Sequence, residues 1–379
     1  MKTATLLFAA IIVANSYLEP MVGAAEIPAP IPDLVHTPPG RGRFYVGGHY
    51  RTDAQGVTRI YGQMYVEYQM PAKSAHPYPI IMIHGAGSTG VVYTGTPDGR
   101  KGWADYFFEQ GYATFVVDQP GRGRSGYNPE YGPVRQPSVS DRANKAKAET
   151  WPQSKLLTQF PIDPATAGPG DPVFDEMMQE SVPGMADVRL QQQLTRDAGI
   201  ALLDRIGPSI LLTHSQSGPC GWLIGDARPQ LVKAIIAIEP GASTAVGPAP
   251  MLKDEPQKWF LAELPLTFSP PVSDPSELHI AVESEPIGPG MCRCRRLSQP
   301  HHKLVNLEKI PVLELNGEAS YHAIREHCTA QFLRDAGVPV DFVRLQDVGI
   351  CGNGHSMMIE KNNLEIAAYI AGWIKTHTR

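Results

Sequence analysis

Ser215 stands in the stretch THSQSG, behind the apolar run SILL and ahead of small residues that read as the start of a helix. A serine there is either an ordinary helix cap or a nucleophile held on a sharp turn. A serine nucleophile needs a base to take its proton and a carboxylate to orient that base. It also needs fixed N–H donors for the negative charge that develops on an attacked carbonyl. Candidates for each stand where Ser215 does, at the end of an apolar, β-branched run. His355 lies in GICGNGHSMM, after VDFVRLQ, and Glu239 closes VKAIIAIE ahead of Pro240 and Gly241. The loop HGAGSTG, after YPIIMI, offers backbone N–H groups. The expected donors are the N–H groups of Gln216 and of Ala86, or Gly87 in its place.

These runs are short and continuously apolar, with helix-like segments between them. That pattern marks parallel strands buried on both faces. RFYVGGHYR and TRIYGQMYVEYQMP form an antiparallel opening pair around the turn TDAQG, giving about eight strands in all. Helices are expected over Gly102–Tyr112, over the segment that ends at Gly207-Pro208, and from about Met357 to Thr376. Residues 127–182 and 242–307 are rich in proline and lack regular periodicity, so they are expected to be lid insertions. In such sheets ligands sit beyond the carboxyl ends of the strands, the edge to which Ser215, Glu239, His355 and the HGAG loop all fall.

The constellation resembles the α/β-hydrolase superfamily over nearly the whole mature chain. The commonest elbow of that family is G-x-S-x-G on a strand-to-helix turn; here it reads Thr213-His214-Ser215-Gln216-Ser217, followed by Gly218. The chain order serine, acid, histidine, the H-G loop, DQPGRGRSG and the late G-x-G-H agree with it. The resemblance implies an α/β fold: an eight-stranded, mostly parallel sheet with helices on both faces. The family's usual acid follows IPVLELN as G-x-A-D, but this chain carries Gly317-Glu318-Ala319-Ser320. Serine supplies no negative charge. The sequence therefore looks like the branch of bacterial serine esterases that includes esterase 713, with glutamate after the preceding strand. Glu239 is the expected acid, followed by Glu318 and then Asp347. His84 and His214 are read as loop-packing residues, and Asp118 as a carboxylate that fixes its own loop. His301, His302, His322 and His327 lack a glycine-flanked strand end.

Composition bounds the remaining possibilities. The net charge of -5 and the absence of a basic block leave nucleic-acid binding without an electrostatic footprint. Lys2, the apolar run Thr5–Ala14 and small residues near Ser16 and Ala25 read as a signal peptide over 1–25, too short for a comfortable membrane span. A secreted or periplasmic protein, with no stable span once that segment is removed, is expected. Cys220 reads as a buried thiol. Cys292, Cys294, Cys328 and Cys351 can form up to two disulfides of open connectivity. Cys292, Cys294, His301 and His302 lie close together but match no zinc spacing; a basic loop with a disulfide is expected there.

The expected activity is hydrolysis of a carboxylic ester or lactone through an acyl-enzyme, with no cofactor and no metal. Trp151, Phe160, Phe174, Trp259, Phe260 and Phe268 suggest a largely apolar small-molecule substrate. A homodimer is left open. Acyl transfer, lyase chemistry and a catalytically silent binding role are the alternatives on this fold.

Overall fold

The computed structural model describes residues 38–146, 151–241, 244–247, 256–299 and 302–378. The segment read as a signal peptide and His301 lie outside the described residues. The main sheet contains β1 (Gly40–Thr52), β2 (Thr58–Met70), β3 (Ile80–Ile83) and β4 (Thr114–Asp118). It continues with β5 (Ser209–His214), β6 (Val232–Ile238), β7 (Val312–Asn316) and β8 (Val340–Arg344). Its eight strands run in the spatial order β1-β2-β4-β3-β5-β6-β7-β8. β1 pairs antiparallel with β2, and β2 with β4. Every later pairing is parallel.

The central strands are continuously apolar because both faces are covered. Ile81, Leu211, Ile235 and Val312 point into one core cluster, while Met82, Leu212, Ile236 and Leu313 point into the other. Helix α1 (Trp103–Glu109) and the C-terminal helix α7 (Asn363–His377) cover the second face through Trp103, Phe107, Ile366 and Ile370. The first face packs α4 (Val188–Ile206), α5 (Gly218–Ala227) and α6 (His327–Asp335) through Leu202, Trp222 and Phe332. Helix α4 starts on the side chain of Asp187, which accepts the Leu190 N–H, and stops at Gly207 with φ 85°, as its sequence predicts.

Helix α7 begins at Asn363, later than the expected Met357. Arg100 takes the Ile359 and Glu360 carbonyls at 2.8 Å each, and Glu360 turns its carboxylate back onto the Gly354 N–H. The preceding residues thus serve the histidine loop instead of adding a helical turn.

Residues 127–182 carry α2 (Val139–Ala146) and α3 (Pro172–Gln179). This segment is tied to the site edge of the sheet. The Trp151 indole donates to the Ala319 carbonyl at 2.9 Å, and the Thr158 and Gln159 N–H groups both donate to the Gly352 carbonyl at 3.1 Å. The described part of 242–307 lies elsewhere: Trp259, Leu261, Leu264, Leu266, Phe268 and Leu297 enter the core cluster that contains Trp222 and Phe332. The basic stretch expected to be a loop holds a strand, Arg293–Leu297, in which Arg296 pairs with Glu283 and Asp335. Cys294 is disulfide-bonded to Cys328, tying that strand to α6, while Cys220 and Cys351 are free thiols. No helix of the described residues is long and apolar enough to cross a membrane.

Candidate active site

β5 ends at His214, and the next residue, Ser215, has φ 54°. Only three non-glycine residues among those described have positive φ, and Ser215 and Glu239 (φ 42°) are two of them. A side chain in that region costs about 1–3 kcal/mol, so surrounding contacts must hold it there. Ser217 does so from the elbow position where glycine is commonest. Its Oγ lies 2.8 Å from the Ile83 carbonyl, to which it donates, and accepts the His214 N–H at 2.9 Å. The required close approach falls instead on Gly218, where a Cβ would stand 2.3 Å from the Pro240 carbonyl oxygen. A bare backbone there lets the serine turn settle against the turn that follows Glu239.

Glu239 is fully buried and accepts four hydrogen bonds. Oε1 takes the Asn316 side-chain amide at 3.0 Å and the Gly317 N–H at 2.9 Å. Oε2 takes the Ser320 hydroxyl at 2.6 Å and His355 Nδ1 at 2.5 Å. Ser320 thus stands where the common family pattern has aspartate and donates a hydrogen bond to the carboxylate from the neighbouring strand. Burial pushes the Glu239 carboxyl well above the usual range; the Ser320 and Gly317 donors oppose this, and the nearby Glu326 and Glu360 carboxyls add to it. The short Glu239–His355 contact holds Nδ1 on the carboxylate and so orients the imidazole.

The histidine loop is clamped by two other carboxylates. Glu318 accepts the Gly352 N–H at 2.6 Å, and Glu360 accepts the Gly354 N–H at 2.9 Å. Burial pushes Glu360 up to about 7. The Glu318 carboxylate therefore contacts the loop that carries the histidine, not the histidine itself, and Asp347 is exposed in the turn after β8.

Ser215 and His355 line one cavity of about 140 Å³, together with Gly85, Ala86, Gly87 and Ser88 of the HGAG loop. Its apolar wall is Val92, Met177, Met358 and Ile359; its polar wall is Arg142, Glu180 and Ser181. None of the six aromatic residues expected to shape the substrate site lines this cavity. Trp151 and Phe160 border a smaller neighbouring space, and Phe260 stacks on Phe332 of α6 at 5.6 Å.

The Gln216 side chain accepts from Arg122 Nη2 at 2.5 Å, and Arg122 Nη1 donates to the Gly85 carbonyl at 2.8 Å. One buried guanidinium thus joins the HGAG loop to the serine turn. Burial lowers its pKa to about 10, which leaves it charged at neutral pH. Arg122 stands within DQPGRGRSG, and no spacing in the sequence points to this role. His84 has a loop role: Nδ1 donates to the Gly85 carbonyl at 2.8 Å, and Nε2 accepts the Gln119 N–H at 3.0 Å. Burial and Arg122 lower its pKa to about 3. Asp118 accepts the Gly90 and Arg124 N–H groups and the Arg124 side chain. His214 Nε2 donates to the His355 carbonyl at 2.9 Å.

A second imidazole–carboxylate pair adjoins the first. The His322 ring stacks on His355 with centroids 4.3 Å apart and planes at 20°. Its Nδ1 bonds Glu326, and Arg325 Nη2 lies 3.1 Å from both ring nitrogens. Sequence reading passed over His322 for lack of a glycine-flanked strand end, and no spacing signal places it against His355. His302 bonds the Pro270 carbonyl, and His327 the Cys292 carbonyl.

No protein-family model matches the chain. It is 41% identical over 339 residues to the probable secreted lipase phiG of a fungal species, a match covering 88% of each chain. It is also similar to a solved bacterial esterase, with a TM-score of 0.58 and 27% identity over 90% of this chain and 96% of that one. The fold and this site define a hydrolase of the α/β class. The chain belongs to the serine esterases and lipases of the α/β-hydrolase superfamily and is a secreted carboxylic ester hydrolase.

Proposed function

We propose that Ser215 is the nucleophile, His355 the general base and acid, and Glu239 the orienting carboxylate of an ester hydrolase that works through an acyl-enzyme. The observation that carries this reading is the 2.5 Å Glu239–His355 bond beside a positive-φ serine that opens on the same cavity. His355 Nε2 takes the Ser215 proton as Oγ adds to the ester carbonyl. The Ala86 (or Gly87) and Gln216 N–H groups hold the resulting oxyanion, a contribution of about two to three orders of magnitude per donor. His355 then gives that proton to the departing alcohol, leaving the acyl group on Ser215. Water attacks the acyl carbon by the same route in reverse, its proton returning through His355 to Ser215. Glu239 stabilises the imidazolium in both halves.

The apolar wall of Val92, Met177, Met358 and Ile359 suits an apolar part of an ester or lactone. In this reading residues 26–379 are one catalytic domain after loss of 1–25. Residues 127–182 act as the lid over the cavity, and 242–307 as a cap packed onto the core. Incubation with a slowly deacylating 4-nitrophenyl ester followed by an acid quench tests it. A single acyl adduct on Ser215 by peptide mass spectrometry is expected; turnover with the acyl group elsewhere, or with no adduct in the presence of Ser215→Ala activity, overturns it.

A further inference from the structure

The polar wall of the cavity specifies more than an ester. Arg142, on α2, lines the space that holds Ser215 and His355. One nitrogen, Nη2, donates to the Gly87 carbonyl at 2.6 Å. Its buried Nε has no hydrogen-bond partner among the described residues. Nor does any described carboxylate lie within ion-pair distance; Asp141 and Glu180 act on it only through space. A guanidinium with a buried, unmet donor is costly unless an acceptor arrives to meet it. Its planar fork matches a carboxylate.

Resting on the Ser215 hydrolase reading, we infer that the substrate is an ester bearing a free carboxylate. Arg142 binds that carboxylate while the apolar wall takes the chain between the acid and the ester. Glu180 tunes this contact. It follows α3 and lines the same wall, and burial, then Glu176 of α3, pushes its carboxyl up to about 7, against the opposing effect of Arg142. The other titratable groups lining that space are His214, whose Nε2 donates to the His355 carbonyl, His355 itself and Tyr321, whose phenol burial keeps protonated. Below pH of about 7 Glu180 is protonated and can donate to the incoming carboxylate; above it the ionised Glu180 repels it. Affinity for an anionic ester therefore falls as pH rises through that value.

The test compares kcat/KM for 4-nitrophenyl hydrogen adipate with that for its methyl ester, which is matched but neutral. The anionic ester is expected to lead by about tenfold or more, and Arg142→Gln to cut the ratio by about tenfold to a hundredfold, mainly through KM. Arg142→Lys should recover part of the ratio, because it keeps the charge without the fork. Glu180→Gln should flatten the rise of KM for the anionic ester above neutral pH. Equal turnover of the two esters by the unmodified enzyme overturns the inference. So does an Arg142→Gln variant that slows both equally, which would reduce Arg142 to a tether for Gly87. In either case turnover of the neutral ester leaves the Ser215 reading standing; loss of turnover on both esters, with no acyl adduct on Ser215, is the failure of that reading instead.

Discussion

Two histidine–glutamate pairs lie face to face in this molecule. His355 and Glu239 are 116 residues apart and meet only because β6 and the loop after β8 deliver them to one edge. His322 and Glu326 sit at i and i+4, a spacing that one turn of chain supplies by itself. His355 of the first pair lines the cavity that holds Ser215, whereas neither residue of the second lines it. Arg325 lies against the His322 ring. In the proposed mechanism the chemistry goes with the pair that the fold assembles, and the locally encoded pair packs behind it. His322 backs the face of the His355 ring, and Ser320, two residues earlier, donates to Glu239.

Substitutions can break or sharpen this contrast. The largest loss is expected for Ser215→Ala, about 10⁴–10⁶-fold in kcat against a neutral aryl ester in a steady-state assay. Glu239→Gln should cost about 10⁴-fold in kcat, because an amide neither fixes the imidazole tautomer nor balances its positive charge. Ser320→Ala removes one of four donors to Glu239 and should lower kcat/KM by about tenfold. Glu326→Gln should change kcat by no more than about threefold while lowering the free energy of unfolding by about 1–3 kcal/mol, measured by urea titration. A variant at Glu326 as inactive as one at Glu239 would erase the distinction between the pairs.

The parts of this site that belong to strand ends were legible in the sequence, because an apolar run announces where a parallel strand stops and hence which residues share an edge. Ser215, Glu239, His355 and the HGAG loop all follow from that rule, whereas the spatial order of the strands is seen only in the fold. Contacts between turns were not legible. The replacement of aspartate by Ser320 reads in sequence as a missing charge; only the fold shows its hydroxyl 2.6 Å from Glu239. His322 carries no periodicity that points to His355. The aromatic residues of the long insertions suggest an apolar substrate by type, but Trp259, as core or lid packing would have it, and Phe268 fill the core. What reaches the cavity from 127–182 includes Arg142 and Glu180, whose destination depends on how irregular chain folds back. The late start of α7 has a similar cause, since Arg100, far upstream, claims the carbonyls of Ile359 and Glu360.

The most direct measurement is the rate at which a fluorophosphonate labels Ser215 in the unmodified enzyme, in Glu239→Gln and in Glu326→Gln, with the adduct located by peptide mass spectrometry. Labelling reports activation of the serine by its base without needing the natural substrate. The expected result is a single Ser215 adduct, formed at least about 10³-fold more slowly in Glu239→Gln and within about threefold of the unmodified rate in Glu326→Gln. Equal labelling rates in Glu239→Gln and the unmodified enzyme, or a collapse of labelling in Glu326→Gln alone, would contradict the assignment of the acid to Glu239.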